Sequence, residues 1–156
     1  MFLADLSRVS LLNSDVEDIN SLLGELTGRQ WQYNRFDLKR LAKQRRFYMV
    51  VAVESMRFVG LGCLKIDDTR WLTQNYTKGY IGDIVVNENF WGRGIGPAIM
   101  KELLRRAKEC NCTQVNLTSN PSNPKRAAAI KMYEKLGFQK IGELNRSNYY
   151  RLDLKS

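Results

Sequence analysis

The chain has 156 residues, 44% hydrophobic and 26% charged, which suits one soluble globular domain with a substantial core. Its formal net charge of +9 points to an anionic partner: nucleic acid, an acidic surface or a polyphosphate cofactor. There is no His and no apolar run long enough to span a membrane, which excludes Ser-His-Asp and Cys-His machinery and a membrane helix.

The N-terminal Met1-Phe-Leu-Ala-Asp-Leu6 lacks a basic segment followed by a long apolar core. A secretory signal is therefore not expected, and a cytoplasmic location is. Residues 2–7 read as a short first strand. Asn13-Ser-Asp15 resembles a helix start, followed at helical spacing by Val16, Ile19, Leu22, Leu23 and Leu26, with Gly28 as the stop. A second, basic helix is expected over 34–45, carrying Phe36, Leu38 and Leu41. Phe47 to Val53 is rich in strand formers, Glu54-Ser-Met-Arg57 reads as a tight turn, and 58–66 completes a hairpin. Residues 67–78 are polar and read as a loop.

The run Tyr80 to Val86 reads as a strand, and Asn89-Phe-Trp-Gly-Arg-Gly-Ile-Gly96 follows it. A helix is expected from about 95 to 110, with Ile95, Ile99, Leu103 and Ala107 as its buried stripe. Pro97 falls in the first turn, where its missing N–H has no helical partner anyway. A glycine-rich turn between strand and helix leaves backbone N–H groups to face an anion, backed by the helix dipole. No Lys-Ser/Thr pair follows the last glycine, so a P-loop is not matched. The third glycine and the acidic residue of a dinucleotide fingerprint are missing too.

Beyond this lie a strand at 114–118, a loop at 120–124, a helix at 125–136 closed by Gly137, and two strands at 138–141 and 149–154. Strands alternating with helices after the hairpin predict an α/β domain with a mixed sheet. Cys63, Cys110 and Cys112 read as packing residues, since they make neither a disulfide framework nor a complete zinc set. The basic runs at 39–46, 101–108 and 125–131 read as solvated helix faces. No nucleic-acid motif accompanies them, so nucleic-acid binding is not expected.

Two segments together resemble the GNAT superfamily of N-acetyltransferases. Gly94 and Gly96 fit the glycines of its Arg/Gln-x-x-Gly-x-Gly/Ala loop. Tyr133-Glu-Lys-Leu-Gly-Phe138 fits its Tyr-Glu-x-Leu-Gly-Phe signature. The likeness is close over about residues 80–142. It implies a single GNAT-like domain over 1–156, with a mostly antiparallel sheet of six to seven strands and about four helices.

It also implies acetyl-CoA as cosubstrate, no metal, and direct acetyl transfer to a primary amine of a small molecule or protein. A non-catalytic acyl-CoA-binding module of the same fold is the alternative. The pantetheine arm would lie along Ile84, Val85 and Val86, and the pyrophosphate on the N–H groups of Gly92, Arg93, Gly94, Ile95 and Gly96. Trp91 stands where the family carries Arg or Gln. Arg126 stands seven residues before Tyr133, where many members carry Asn; it either touches a phosphate or the substrate, or is a surface arginine. Tyr133 would be the general acid for the departing sulfur. With no His, the base would be Asp83 or a water chain. Trp31, Tyr33, Trp71 and Tyr76 either line the acceptor site or cover the core. The sequence does not read the oligomeric state; a homodimer is compatible with it.

Overall fold

The computed structural model describes residues 1–154. Its strands are β1 (Phe2–Asp5), β2 (Phe47–Glu54), β3 (Arg57–Asp67), β4 (Thr77–Val86), β5 (Cys112–Ser119), β6 (Gln139–Leu144) and β7 (Ser147–Asp153). Its α-helices are α1 (Asn13–Thr27), α2 (Arg35–Ala42), α3 (Ile95–Glu109) and α4 (Ala127–Lys135). The strands hydrogen-bond in the order β1-β2-β3-β4-β5-β7-β6. Pairing is antiparallel for β1–β2, β2–β3, β5–β7 and β6–β7 and parallel for β4–β5. This is the α/β domain with a mixed sheet that the alternating elements predict, and the mostly antiparallel pairing that the resemblance implies. Tertiary contacts divide the chain into two compact units, residues 1–65 with 83–103, and 66–82 with the residues from 104 onward.

In the first unit, the β2–β3 hairpin turns through Ser55 (φ 51°) and Met56 (φ 62°), with Glu54 opposite Arg57. Positive φ at both central residues is the twist that a two-residue hairpin needs. Helix α1 begins where the Asp15 carboxylate accepts the Leu12 N–H at 2.8 Å, and ends at Gly28 in the left-handed region. Its apolar stripe, Ile19 and Leu22 with Leu23, buries against Leu6, Leu38, Val51 and Leu61. The Asp18 carboxylate faces the same side, where it accepts from Arg57 Nε and from the Phe58 backbone N–H, both at 3.0 Å. Helix α2 is shorter than the expected 34–45. Lys43 leaves helical geometry, and its N–H closes on the Lys39 and Leu41 carbonyls. The Lys39 ammonium turns inward and donates to the carbonyls of Leu6 (3.1 Å), Ser7 (3.0 Å) and Val9 (2.6 Å). Burial, and then the nearby Lys43 charge, lowers its pKa. The first strand stops at Asp5, and residues 6–8 form a 3₁₀ turn instead of continuing to 7.

In the second unit, β5, β7 and β6 form an antiparallel ladder, and Asn145 (φ 51°) and Arg146 (φ 67°) make the β6–β7 turn. The ladder of β4 with β5 runs from Thr77 to Tyr80, so β4 takes the last residues of the expected 67–78 loop. The helix expected at 125–136 is a 3₁₀ turn over Pro124–Arg126 followed by α4. Gly137 (φ 97°) ends α4, with the Phe138 N–H returning to the Tyr133 carbonyl at 3.0 Å. Strand β6 is exposed along its whole length.

Candidate functional site

The first unit carries the strand end, the glycine loop and the start of α3. Loop entry is fixed by backbone bonds: the Asn87 N–H reaches the Val59 carbonyl at 2.8 Å, and the Phe90 N–H reaches the Asn87 carbonyl at 2.9 Å. Gly92 and Gly94 adopt φ of 78° and 79°, and a Cβ at either would meet nothing within 4 Å. The loop is therefore both left-handed and open, a cradle whose space no side chain fills. Helix α3 starts at Ile95, and the Ala98 N–H bonds the Gly94 carbonyl at 3.1 Å. The N–H groups of its first turn have no intrahelical acceptor, and no acidic residue in that turn neutralises the dipole. These backbone groups suit a pyrophosphate, so the residues present fit a polyphosphate-bearing cosubstrate.

Side chains around the loop play parts that the sequence left open. Trp91 Nε1 donates to the Val86 carbonyl at 2.7 Å while about half of the residue stays exposed. Its polar handle is thus spent on tying the loop to the end of β4, and only the indole face remains on offer. The Arg93 guanidinium lies over the Phe90 ring at 4.8 Å and 3.7 Å from Glu54 Oε2.

Behind the loop, α3 buries Ile95, Ile99, Leu103 and Ala107, the expected stripe, with Met100 beside them. The helix approaches β3 so closely that a Cβ on Gly62 would lie 2.5 Å from Ile99, 2.7 Å from Ile84 and 3.1 Å from Leu103. Asp83 lies within β4, yet its φ is 54°. A non-glycine residue there stores backbone strain, which is characteristic of functional positions. The residue is exposed by surface area, but its carboxyl group is desolvated by surrounding atoms, which raises its pKa. The buried Cys63 thiol is pushed far up by desolvation and then by the Asp83 charge, so it is no thiolate nucleophile.

In the second unit, α4 delivers Tyr133 into the interior, where it is 2% exposed. Its ring meets Phe138 edge-on at 6.0 Å and Tyr150 at 6.2 Å. Arg126 Nη2 donates to the Tyr133 hydroxyl at 3.4 Å, a contact that the sequence did not anticipate. Burial raises the Tyr133 pKa; Arg126 opposes that rise and Tyr150 adds to it.

Sequence reasoning missed three further polar residues here. Ser119, Asn148 and Tyr150 are buried, and Asn148 Nδ2 donates to the Tyr150 hydroxyl at 3.4 Å. The available signal was a serine ending the buried alternation Val115, Leu117, Ser119 on β5. The same unit has an open cavity of about 380 Å³ lined by Asp67, Thr69, Arg70, Trp71, Gln74 and Lys78. Trp71, expected either at the acceptor site or over the core, is 81% exposed at its rim. In the first unit, Trp31 and Tyr33 stack at 5.5 Å and pack against the core. No group of metal ligands occurs among the described residues, and no helix there is long and apolar enough to cross a membrane.

The family profile described as acetyltransferase (GNAT) family matches residues 16–138. Over 97 residues the chain is 28% identical to a glucosamine 6-phosphate N-acetyltransferase 1 of Dictyostelium discoideum, covering 62% of this chain and 58% of the relative. Over 75 residues it is 37% identical to an N-alpha-acetyltransferase 30 of the same organism, covering 48% of this chain and 38% of the relative. The chain thus spans less than two thirds of the length of either. A crystal structure of a Trypanosoma brucei acetyltransferase superposes with a TM-score of 0.70 at 27% identity, covering 98% of this chain and 99% of the other.

Proposed function

Because this chain belongs to the GNAT acetyltransferase family, we propose that it moves the acetyl group of acetyl-CoA directly onto a primary amine, with Tyr133 as acid and Asp83 as base. The observation that carries the reading is the open cradle at Gly92 and Gly94, set before a helix start with no neutralising acid. In this reading the backbone from Gly92 to Gly96 holds the pyrophosphate, and Ile84, Val85 and Val86 lie along the pantetheine arm. The Trp91 indole face and the Arg93 charge flank the cosubstrate.

The chemistry asked of the side chains is proton traffic. Asp83 takes a proton from the attacking ammonium, directly or through water, and the freed nitrogen lone pair forms the N–C bond. As the C–S bond breaks, its electron pair leaves on sulfur, and the Tyr133 hydroxyl gives that sulfur its proton. Burial keeps the phenol protonated, as a donor must be. Desolvation lifts the Asp83 pKa, and a carboxylate with a raised pKa is the better base. Arg126, bonded to the phenol oxygen, steadies the phenolate until it takes up the second proton that the acylated nitrogen sheds.

For the acceptor, the relatives' names point in two directions, an amino-sugar phosphate and a protein N-terminus. The cavity offers Arg70 and Lys78 to an anionic group and Asp67 to an ammonium, which favours an amine that also carries an anionic group. Thiol release from acetyl-CoA, followed across glucosamine 6-phosphate, other amines and N-terminal peptides, tests this. Tyr133→Phe is expected to slow release about a hundredfold or more. Wild-type rates in that variant would remove Tyr133 as the acid.

A further inference from the structure

Strand alternation and register put a set of side chains on one face of the second unit. Ser119 is directly opposite Asn148, Leu117 opposite Tyr150 and Val115 opposite Leu152. Directly paired residues share a face, so Ser119, Asn148 and Tyr150 stand on the same side of the sheet. That side is the one beneath α4, because Tyr150 meets the Tyr133 ring.

The polar groups of this face are not equally satisfied. The Tyr133 hydroxyl receives Arg126, and the Tyr150 hydroxyl receives Asn148. Ser119 Oγ is buried and, among the described residues, has no hydrogen-bond partner. A buried hydroxyl without a partner costs stability, and alanine in its place would cost none. The Ser119 hydroxyl is therefore a hydrogen-bonding group on this face that the fold does not use.

We propose that Ser119 is a ligand-binding residue whose hydroxyl donates a hydrogen bond to the thioester end of the acyl donor, on the face that carries Tyr133. The chemical class is set by the group itself. A single O–H donor on the face that carries Tyr133 suits the thioester's carbonyl oxygen before transfer and the thiolate sulfur after it. This rests on the acetyl-transfer reading for where the reaction occurs, but Ser119 acts on the donor independently of Tyr133 as acid.

The test uses Ser119→Ala and Ser119→Cys in the full chain, each with two readouts. Thermal melting of the protein alone reports on the fold, and thiol release reports on the reaction. Ser119→Ala is expected to melt at or above the wild-type temperature. Its kcat/KM for acetyl-CoA should fall about tenfold, the loss of one hydrogen bond, and the rise in melting temperature given by added acetyl-CoA should shrink. Ser119→Cys, which keeps a weak donor, should fall between the two. Unchanged kinetics in Ser119→Ala would overturn the proposal, and so would activity and melting temperature falling together. Tyr133→Phe run alongside separates the two claims. A silent Ser119→Ala beside a dead Tyr133→Phe sinks Ser119 alone, and an active Tyr133→Phe sinks the acid assignment whatever Ser119 does.

Discussion

Asp83 is where strain, desolvation and proposed chemistry meet in one residue. Its φ of 54° is one that Asn adopts as readily as Asp, so Asp83→Asn changes the charge without forcing the backbone to move. Desolvation raises the folded-state pKa above the unfolded one. The stability linked to the protonated carboxyl is therefore fully present at acid pH and is lost as pH rises through the folded pKa. Asp83→Asn is expected to melt like the wild type at acid pH and above it at neutral pH. In the pH profile of kcat/KM, the acid limb that the wild type owes to this carboxyl should disappear along with most of the activity. An acid limb unchanged in the variant would assign it to another group. Asp83 was already a candidate base in the sequence, but its strain and desolvation were not legible there. A sequence places Asp83 on a strand, but a left-handed residue within a strand depends on the fold around it.

At the scale of elements, the legible parts were those governed by local pattern. The stripe on α3 follows from helical period, the β2–β3 hairpin from strand formers around a polar turn, and the stop of α1 from Gly28. The boundaries that moved depend on single backbone bonds: α2 ends where the Gln44 N–H turns to the Leu41 carbonyl three residues back, and α4 begins only after the 3₁₀ turn at Pro124. The Trp91 bond to Val86 is likewise a matter of where an indole swings, which residue order does not encode. Contact between α3 and β3 was also hidden, because Gly62 looks unremarkable until Ile99, Ile84 and Leu103 surround it. A methyl at Gly62 must displace buried side chains of α3 and β4, both of which lead to the glycine loop. Gly62→Ala is expected to lose about 1–3 kcal/mol in urea unfolding, the usual cost of overpacking. Its KM for acetyl-CoA should rise as the loop shifts. A variant as stable as the wild type would show that α3 has room to slide.

For the molecule as a whole, +9 of formal charge pairs naturally with a polyanionic cosubstrate. Electrostatic attraction of this kind is screened by salt, with a Debye length of about 10 Å at 0.1 M. The KM for acetyl-CoA is expected to rise with ionic strength while kcat changes little, and a salt-independent KM would confine binding to the backbone cradle. The same protein carries many amines of its own beside a reactive thioester. Lys39 stands apart from them, with its ammonium held by the carbonyls of Leu6, Ser7 and Val9. Those three hydrogen bonds hold the nitrogen as an ammonium, and an acyl group reaches its lone pair only after they break. An acetyl mark on Lys39 would thus be a lasting chemical record that this corner of the protein had once opened.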